Sequence, residues 1–224
     1  MDQPGIIPMV QGMDTLRWNP ATDPHIACHY SAEAPSGKAL CKLALQTKVG
    51  LSLRQDLLLG VTAMRVLEDA DLLCRLVESL KDYSVQWLLL DSAPMVENRK
   101  ISEWTRQMPG RVAFCIGSGE AMQQQFYAGV DAVLIHRVVE TPSVPPLLSM
   151  RYGAVPVVPS IGIEAAAVVD VSWQADCQKT ATGFVFDASS VDAMIDAIKR
   201  VVAAFRDYAL WQALMRQGMC MAHL

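Results

Sequence analysis

The chain has 224 residues, 52 % of them hydrophobic and 19 % charged, which fits one folded α/β domain and excludes disorder, collagen and coiled coil. Its 19 basic and 23 acidic side chains give a net charge of −4. This charge disfavours a nucleic-acid partner, because binding along a polyphosphate needs a basic surface. The apolar runs are far shorter than the roughly 20 residues of a membrane span, so we expect no membrane partner.

The first 35 residues predict a short strand followed by an ordered surface loop. Asn19-Pro20 and Asp23-Pro24 disfavour helix, because the residue before a proline avoids the α region of backbone space. The chain starts without a basic segment leading into an apolar stretch, and without an Arg- and Ser-rich, acid-poor leader. No targeting peptide is therefore visible in this chain.

Residues 36–48 have helical periodicity. Leu40, Leu43, Ala44 and Thr47 recur at the spacing of one helix side, and Gly50 follows as a stop signal. The pattern predicts a helix with this apolar side.

From residue 57 onward, short apolar runs alternate with amphipathic stretches, which is typical of βα units around a parallel sheet. Strands are predicted over residues 57–62, 85–90, 111–116, 132–135, 155–158 and 183–186. Helices are predicted over residues 69–80, 191–205 and 207–217, with Ser189 or Ser190 capping the second of these. The predicted fold class is α/β, a Rossmann-like doubly wound parallel sheet formed by residues 36–224 after the lead-in of residues 1–35.

The cysteines are spread along the chain without a CxxC pair, and most lie in apolar periodic segments. They are Cys28, Cys41, Cys74, Cys115, Cys177 and Cys220. A free thiol in such a segment behaves as a small hydrophobe, so we predict reduced core residues.

Most motifs that carry chemistry are absent. Without GxGxxG, GxxxxGK[ST], HExxH or GxSxG, a dinucleotide-dependent dehydrogenase, a P-loop NTPase, a zincin and an α/β-hydrolase are unsupported. Gly117-Ser118-Gly119 is a partial glycine motif of a kind that more often forms a strand-to-helix turn. His25 and His29 lie among prolines and are interpreted as loop histidines. We expect neither a metal site nor a cofactor.

Glu140 is a candidate site residue because of its place between two predicted strands. It follows the strand at residues 132–135 and precedes a helix and the strand at residues 155–158. Open α/β sheets bind ligands at the carboxyl ends of their strands. Position alone is equally compatible with a solvated loop charge.

An ordered series of motifs resembles the C-terminal half of the glycogen/starch synthases over nearly the whole chain. Residues 5–7 (GII) with 11–15 (QGMDT) resemble the GIxNGID opening, and residues 18–23 (WNPATD) resemble the WNPxTD loop. Further matches are Lys38, Lys42, Gln46, residues 127–129 (YAG), Asp131, Glu140, residues 150–153 (MRYG), residues 156–158 (PVV) and residues 182–184 (TGF). Residues 92–94 (SAP) are similar to plant and algal starch synthases.

The resemblance implies a glycosyltransferase of GT-B type, of which this chain is one of two Rossmann-like halves. Such an enzyme transfers glucose from ADP-glucose, a donor substrate rather than a cofactor, to an α-1,4-glucan. Glu140 would contact the sugar and Arg65 the diphosphate, and the donor nucleotide and diphosphate would also touch Ser118, Gly119, Ser143 and Val144. Implied partners are the nucleotide sugar, the glucan, and an N-terminal synthase half or another synthase. The implied location is the plastid for a plant or algal starch synthase and otherwise the cytoplasm.

Ligand-facing positions depart from the family pattern, whereas scaffold positions match it. Arg65 is shifted by one place, and the Lys expected after it is replaced by a segment containing Glu68-Asp69, which would repel a diphosphate. Ser118 stands where the family has an aromatic ring that packs on adenine. The prolines at residues 145–146 have no N–H groups for phosphate.

We therefore expect an incomplete or diverged glycosyltransferase domain that is inactive alone, since one half cannot exclude water or complete the catalytic groups. A non-catalytic interaction or regulatory module that retains the fold is the alternative. A nucleotide-sugar enzyme of another family explains the opening motif and the WNP loop less well.

Overall fold

A six-stranded parallel sheet runs through the molecule. The computed structural model describes residues 14–62, 70–91, 99–116, 119–136, 144–171 and 180–222. The strands are β1 (Leu57–Thr62), β2 (Val85–Asp91), β3 (Val112–Ile116), β4 (Ala132–Leu134), β5 (Val155–Pro159) and β6 (Phe184–Phe186). Their order is β3-β2-β1-β4-β5-β6, and each neighbouring pair is parallel. This is the doubly wound order of Rossmann-like folds, as predicted.

Helices cover both faces of the sheet. They are α1 (Gly37–Val49), α2 (Ala70–Ser79), α3 (Arg99–Gln107), α4 (Glu120–Gly129), α5 (Val144–Arg151), α6 (Ile163–Ala166), α7 (Val191–Arg206) and α8 (Tyr208–Met221). Leu57, Leu59 and Val61 of β1 pack on the layer that contains α2, α3, α7 and most of α8. Leu58 packs on the opposite layer, which contains α1, α4, α5 and residues 14–35. Successive apolar residues in one strand thus serve two cores.

The predicted strands are all present, with ends that differ by no more than one residue. Ser190 caps α7 by accepting a hydrogen bond from the Ala193 amide, as predicted. The last helix extends to Met221, past the predicted end, because Met219 is buried there against the second layer. Helix α3 was not predicted; among its residues 103–107, whose side chains are described, Trp104 alone lies in the core.

Residues 14–35 contain no helix or strand and are held on the domain by specific contacts. The buried Asp23 carboxylate accepts a hydrogen bond from the Tyr152 hydroxyl. Arg151 Nε donates to the Trp18 carbonyl over 2.9 Å, and its Nη2 donates to the Thr15 carbonyl over 3.1 Å. The WNPATD and MRYG segments of the sequence therefore form one structural unit. Any strand in residues 1–13 lies outside the described residues.

The side of α1 that faces inward is polar, which corrects the predicted packing side. Leu40 and Leu43 are 53 % and 37 % exposed, and Ala44 and Thr47 are exposed as well. The buried side consists of Gly37, Lys38, Cys41, Lys42, Leu45 and Gln46. A prediction from apolar periodicity was wrong here because the buried polar groups have partners distant in sequence.

The Lys38 ammonium caps the carboxyl ends of two helices by donating hydrogen bonds to their carbonyls. Its Nζ donates to the carbonyls of Tyr127, Ala128 and Tyr152 over 3.2, 3.1 and 2.8 Å. The first two carbonyls belong to the last turn of α4, and the third directly follows α5. Such carbonyls lack partners within their helices, and a cation is favoured at the negative end of the helix dipole. The three protons of one ammonium group therefore reach three carbonyls, of which that of Tyr152 also accepts a hydrogen bond from the Tyr30 hydroxyl over 2.8 Å.

Lys42 and Gln46 continue this polar row along the amino ends of the strands. Lys42 Nζ lies 2.6 Å from Asp131 Oδ2, which also accepts a hydrogen bond from the Leu58 amide over 2.7 Å. Gln46 Nε2 donates to Gln86 Oε1 over 2.7 Å, and Gln86 Nε2 donates to the Gly110 carbonyl over 2.7 Å. The row ties α1 to β1, to β2 and to the residues preceding β3 and β4.

The cysteine prediction is confirmed only in part. Five cysteines lie in the described residues, and all five are free thiols. Cys41 is buried, Cys28, Cys74 and Cys115 are partly buried, and Cys220 is exposed on α8. Cys177 lies outside the described residues.

A substitution at Gly60 in β1 tests how tightly α4 packs on the sheet. A Cβ atom at this position would overlap the buried ring of Phe126 and lie 3.0 Å from Val130 Cγ1. We expect Gly60→Ala to lower the free energy of unfolding by about 2 kcal/mol, because neither neighbour has room to move in a packed core. Urea unfolding measures the change. Gly119→Ala, where a Cβ would meet no atom within 4 Å, is the control, and equal losses in the two variants would contradict the packing.

The buried Lys38 side chain should make the free energy of unfolding of the domain depend on pH. Burial lowers its pKa from 10.5 to about 8, opposed by the charges of Asp131 and Cys41. As the pH rises above 8, the folded chain releases this proton before the unfolded chain does. The free energy of unfolding therefore increases with pH in this range. The destabilisation caused by Lys38→Met should therefore increase by about 2 kcal/mol between about pH 7 and pH 9.5.

Urea unfolding at the two pH values measures this increase. Lys48→Met, on the exposed side of the same helix, should show no such change. A loss that is the same at both pH values would mean that the three carbonyls hold the Lys38 proton as firmly as water does.

Candidate functional site

The strand order creates a crevice at the carboxyl ends of β1 and β4. These strands are neighbours, with Gly60 opposite Val133 and Val61 opposite Leu134. The chain leaves β1 toward α2 in one layer and leaves β4 toward α5 in the other layer. Open α/β sheets bind their ligands where neighbouring connections diverge in this way. The switch point between β1 and β4 is therefore the candidate site.

Most of the predicted site residues follow the strands that border this point, in segments outside the described residues. Arg65 comes shortly after β1, whereas Glu140 and Ser143 lie between β4 and α5. Ser118 lies between β3 and α4. Their contacts with one another and with a ligand stay predictions. Gly119 and Val144 are described, and each stands at the start of a helix.

Gly119 is the N-cap of α4 and faces open space. Its backbone is extended, with φ −76° and ψ 138°, and no side chain caps the helix. The position that a Cβ would occupy meets no atom within 4 Å. Glu120 in the next position pairs with Arg17, whose Nε and Nη2 donate to both carboxylate oxygens. An incoming anion would meet this carboxylate beside the helix start, so Arg17 offsets a charge that would otherwise repel it.

Val144 begins α5, whose first turn has few backbone donors. Pro145 and Pro146 follow it and have no N–H group. A helix start ordinarily presents several free N–H groups to an anion. This one offers fewer, so side chains from the preceding segment must supply more of the contacts with any phosphate. A proline in the first turn does not disturb the helix itself.

His136 was missed by the sequence analysis. It lies two residues after the end of β4, next to the switch point, and its side chain is partly exposed. The signal was available, because a strand predicted to end at residue 135 puts the next side chain at the sheet edge. An imidazole can donate or accept a hydrogen bond at that edge.

The described residues contain no group of three His, Cys, Asp or Glu side chains that could hold a metal ion. Within the same residues, no helix is both long enough and apolar enough to cross a membrane.

Known proteins with this architecture include sugar-transferring enzymes. No family model matches the chain. A solved structure described as the catalytic domain of starch synthase IV from Arabidopsis thaliana, bound to ADP and acarbose, superimposes with a TM-score of 0.81 at 25 % identity, over 93 % of this chain and 44 % of that one. The C-terminal domain of a group 1 glycosyl transferase from Francisella tularensis matches 95 % of this chain and 97 % of its own, with a TM-score of 0.65. Its identity of 14 % supports the fold alone.

The sheet order is that of a Rossmann-like domain and matches the domains of GT-B glycosyltransferases. Glycogen synthase of Nitrosospira multiformis is 35 % identical over 204 residues, which are 90 % of this chain and 41 % of the relative. Glycogen synthase of Anaeromyxobacter dehalogenans strain 2CP-C is 35 % identical over 213 residues, 94 % of this chain and 44 % of the relative. This chain belongs to the glycogen/starch synthase family and corresponds to the C-terminal half of its members.

The chain thus spans less than half the length of the curated relatives it matches. These relatives are bacterial, and they do not support the plastid location implied by the plant-like SAP segment.

Proposed function

We propose that this domain binds ADP-glucose at the switch point between β1 and β4 and supplies the donor side of glucosyl transfer to an α-1,4-glucan. The observation that carries the proposal is the strand order, because Arg65 and Glu140 follow the two strands that border the crevice. The starch synthase IV domain that shares this fold has ADP bound. A nucleotide sugar is the corresponding ligand here.

The two predicted contact residues suit the two ends of the donor. A guanidinium forms paired, charge-assisted hydrogen bonds with phosphate oxygens, which assigns Arg65 to the diphosphate. A carboxylate accepts hydrogen bonds from sugar hydroxyls, which assigns Glu140 to the glucose. The remaining donor contacts go to Ser118, Gly119, Ser143 and Val144, around the starts of α4 and α5.

The reaction itself needs more than this domain. Glucosyl transfer requires preorganised groups around the reacting bond and exclusion of water from it. The matched relatives are more than twice as long as the region that aligns with this chain. We assign the glucan acceptor and the second wall of the cleft to an N-terminal synthase half, supplied by the same protein or by another synthase.

Calorimetric titration tests the donor site. We expect ADP and ADP-glucose to bind with a Kd below about 1 mM, which is about 4 kcal/mol. Arg65→Ala should weaken ADP binding at least about tenfold, because a charged hydrogen bond contributes about 1.5–3 kcal/mol. Glu140→Ala should weaken ADP-glucose binding more than ADP binding.

Arg106→Ala and Glu103→Ala are matched controls, since both side chains are exposed on α3. Neither should change the titration. Absence of heat for the unsubstituted chain at high ligand concentration would reject the donor site and favour a non-catalytic module that retains the fold.

A transfer assay tests whether one half is sufficient. The 224 residues with radiolabelled ADP-glucose and glycogen should give no labelled glucan, while the full-length Nitrosospira multiformis relative in the same assay shows that the reagents work. Incorporation by the 224 residues alone would contradict the assignment of the acceptor side to another half.

A further inference from the structure

Two cysteines lie where residues 25–29 pack against α1, and the Cys28 thiol donates to the His29 carbonyl over 3.5 Å. Cys41 Sγ donates to the Cys28 carbonyl over 3.2 Å. Cys28 Sγ lies 3.0 Å from the position that a Cβ atom on Gly37 would occupy. Gly37 and Cys41 are one helical turn apart on the buried side of α1. Both sulfur atoms therefore lie in the same narrow interface.

Gly37 is what makes room for Cys28. A side chain at residue 37 would overlap the His29 carbonyl as well as crowd the Cys28 sulfur, so the loop could not approach the helix this closely. The other cysteines of the described ranges belong to different elements, with Cys74 on α2, Cys115 on β3 and Cys220 on α8.

A small reagent can reach this interface. Cys28 is partly exposed. A half-open cavity of about 250 Å³ lies between residues 25–27, α1 and α4; its lining includes Cys41, His25 and Lys48 but not Cys28, so it opens onto the Cys41 side of the interface. Lys48 adds a positive charge, which favours an anionic reagent such as a carboxylated disulfide.

We propose that Cys28 and Cys41 are a redox modification site that forms a reversible disulfide by exchange with a low-molecular-weight disulfide. The Cys28 thiolate attacks one sulfur of the reagent, whose S–S bond breaks and releases one thiolate. Cys41 then loses its proton and attacks the Cys28 sulfur of the mixed disulfide, releasing the second reagent thiol. Two protein thiols are oxidised, and one reagent disulfide is reduced to two thiols.

The different burial of the two thiols determines which of them reacts first. Burial raises the pKa of the Cys41 thiol, so little thiolate is present there at neutral pH. Attack by the more exposed Cys28 comes first, and closure by Cys41 follows more slowly. The mixed disulfide on Cys28 should therefore be seen before the internal cross-link.

The cross-link would fasten residues 14–35 to α1. It would close a loop between residues 28 and 41, which restricts the unfolded chain more than the folded one. The oxidised protein should resist thermal unfolding more than the reduced protein.

The test uses a variant in which Cys74, Cys115, Cys177 and Cys220 are each replaced by Ser, incubated with oxidised glutathione. Mass spectrometry should show a transient glutathione adduct, then loss of two hydrogen atoms and a peptide pair joined through Cys28 and Cys41. The Tm should rise by about 5–10 °C and return on reduction. The same variant with Cys28→Ser in addition should give neither the cross-link nor the rise.

Peptide mapping of the unsubstituted chain after the same treatment keeps the test decisive if a variant fails to fold. A joined pair of residues 28 and 41 supports the proposal. Stable glutathione adducts without a cross-link, pairing of either residue with another cysteine, or no reaction at all would each overturn it.

Discussion

Three carbonyl groups at the ends of α4 and α5 accept hydrogen bonds from the Lys38 ammonium of α1, and one of them, that of Tyr152, also accepts from the Tyr30 hydroxyl. This contact decides which side of α1 faces the domain, because the ammonium reaches those carbonyls only if the polar side is buried. Lys42 and Gln46 then fall on the amino ends of the strands. The helix closes that edge of the sheet, and the carboxyl edge is where the chain connections diverge to form a crevice.

The amino and carboxyl edges of the sheet differ in how well their residues match the family pattern. Residues of the amino edge and of the loop on it, such as Lys42, Asp131 and Asp23, form buried hydrogen bonds with distant parts of the chain. Those same positions carry the likeness to glycogen and starch synthases in the sequence. The departures from the family pattern, including Ser118 and the two prolines of α5, fall in segments at the carboxyl edge. We therefore expect the 35 % identity to lie more in the scaffold than in the predicted ligand contacts.

The sequence predicted the sheet well because buried parallel strands are apolar at most positions, which is a strictly local signal. It failed on the packing of α1, since Lys38 is satisfied by Tyr127 and Tyr152, and no pattern within the helix reveals those partners. Arg65 and Glu140 follow two neighbouring strands in the sequence, but both lie outside the described residues, so contact between them stays a prediction. His136 could have been noticed from the predicted strand end alone, because it is the next residue after that end.

Because Lys38 is enclosed, its reaction with a chemical label can report local opening of the domain. With only 5 % of the residue exposed, an amine-acylating reagent reaches its nitrogen only when α1 separates from α4 and α5. The labelling rate of this one lysine would thus measure the opening of the amino edge apart from global unfolding. Acylation would also abolish the charge that caps both helices, so each opened molecule would be trapped in a form unable to close again.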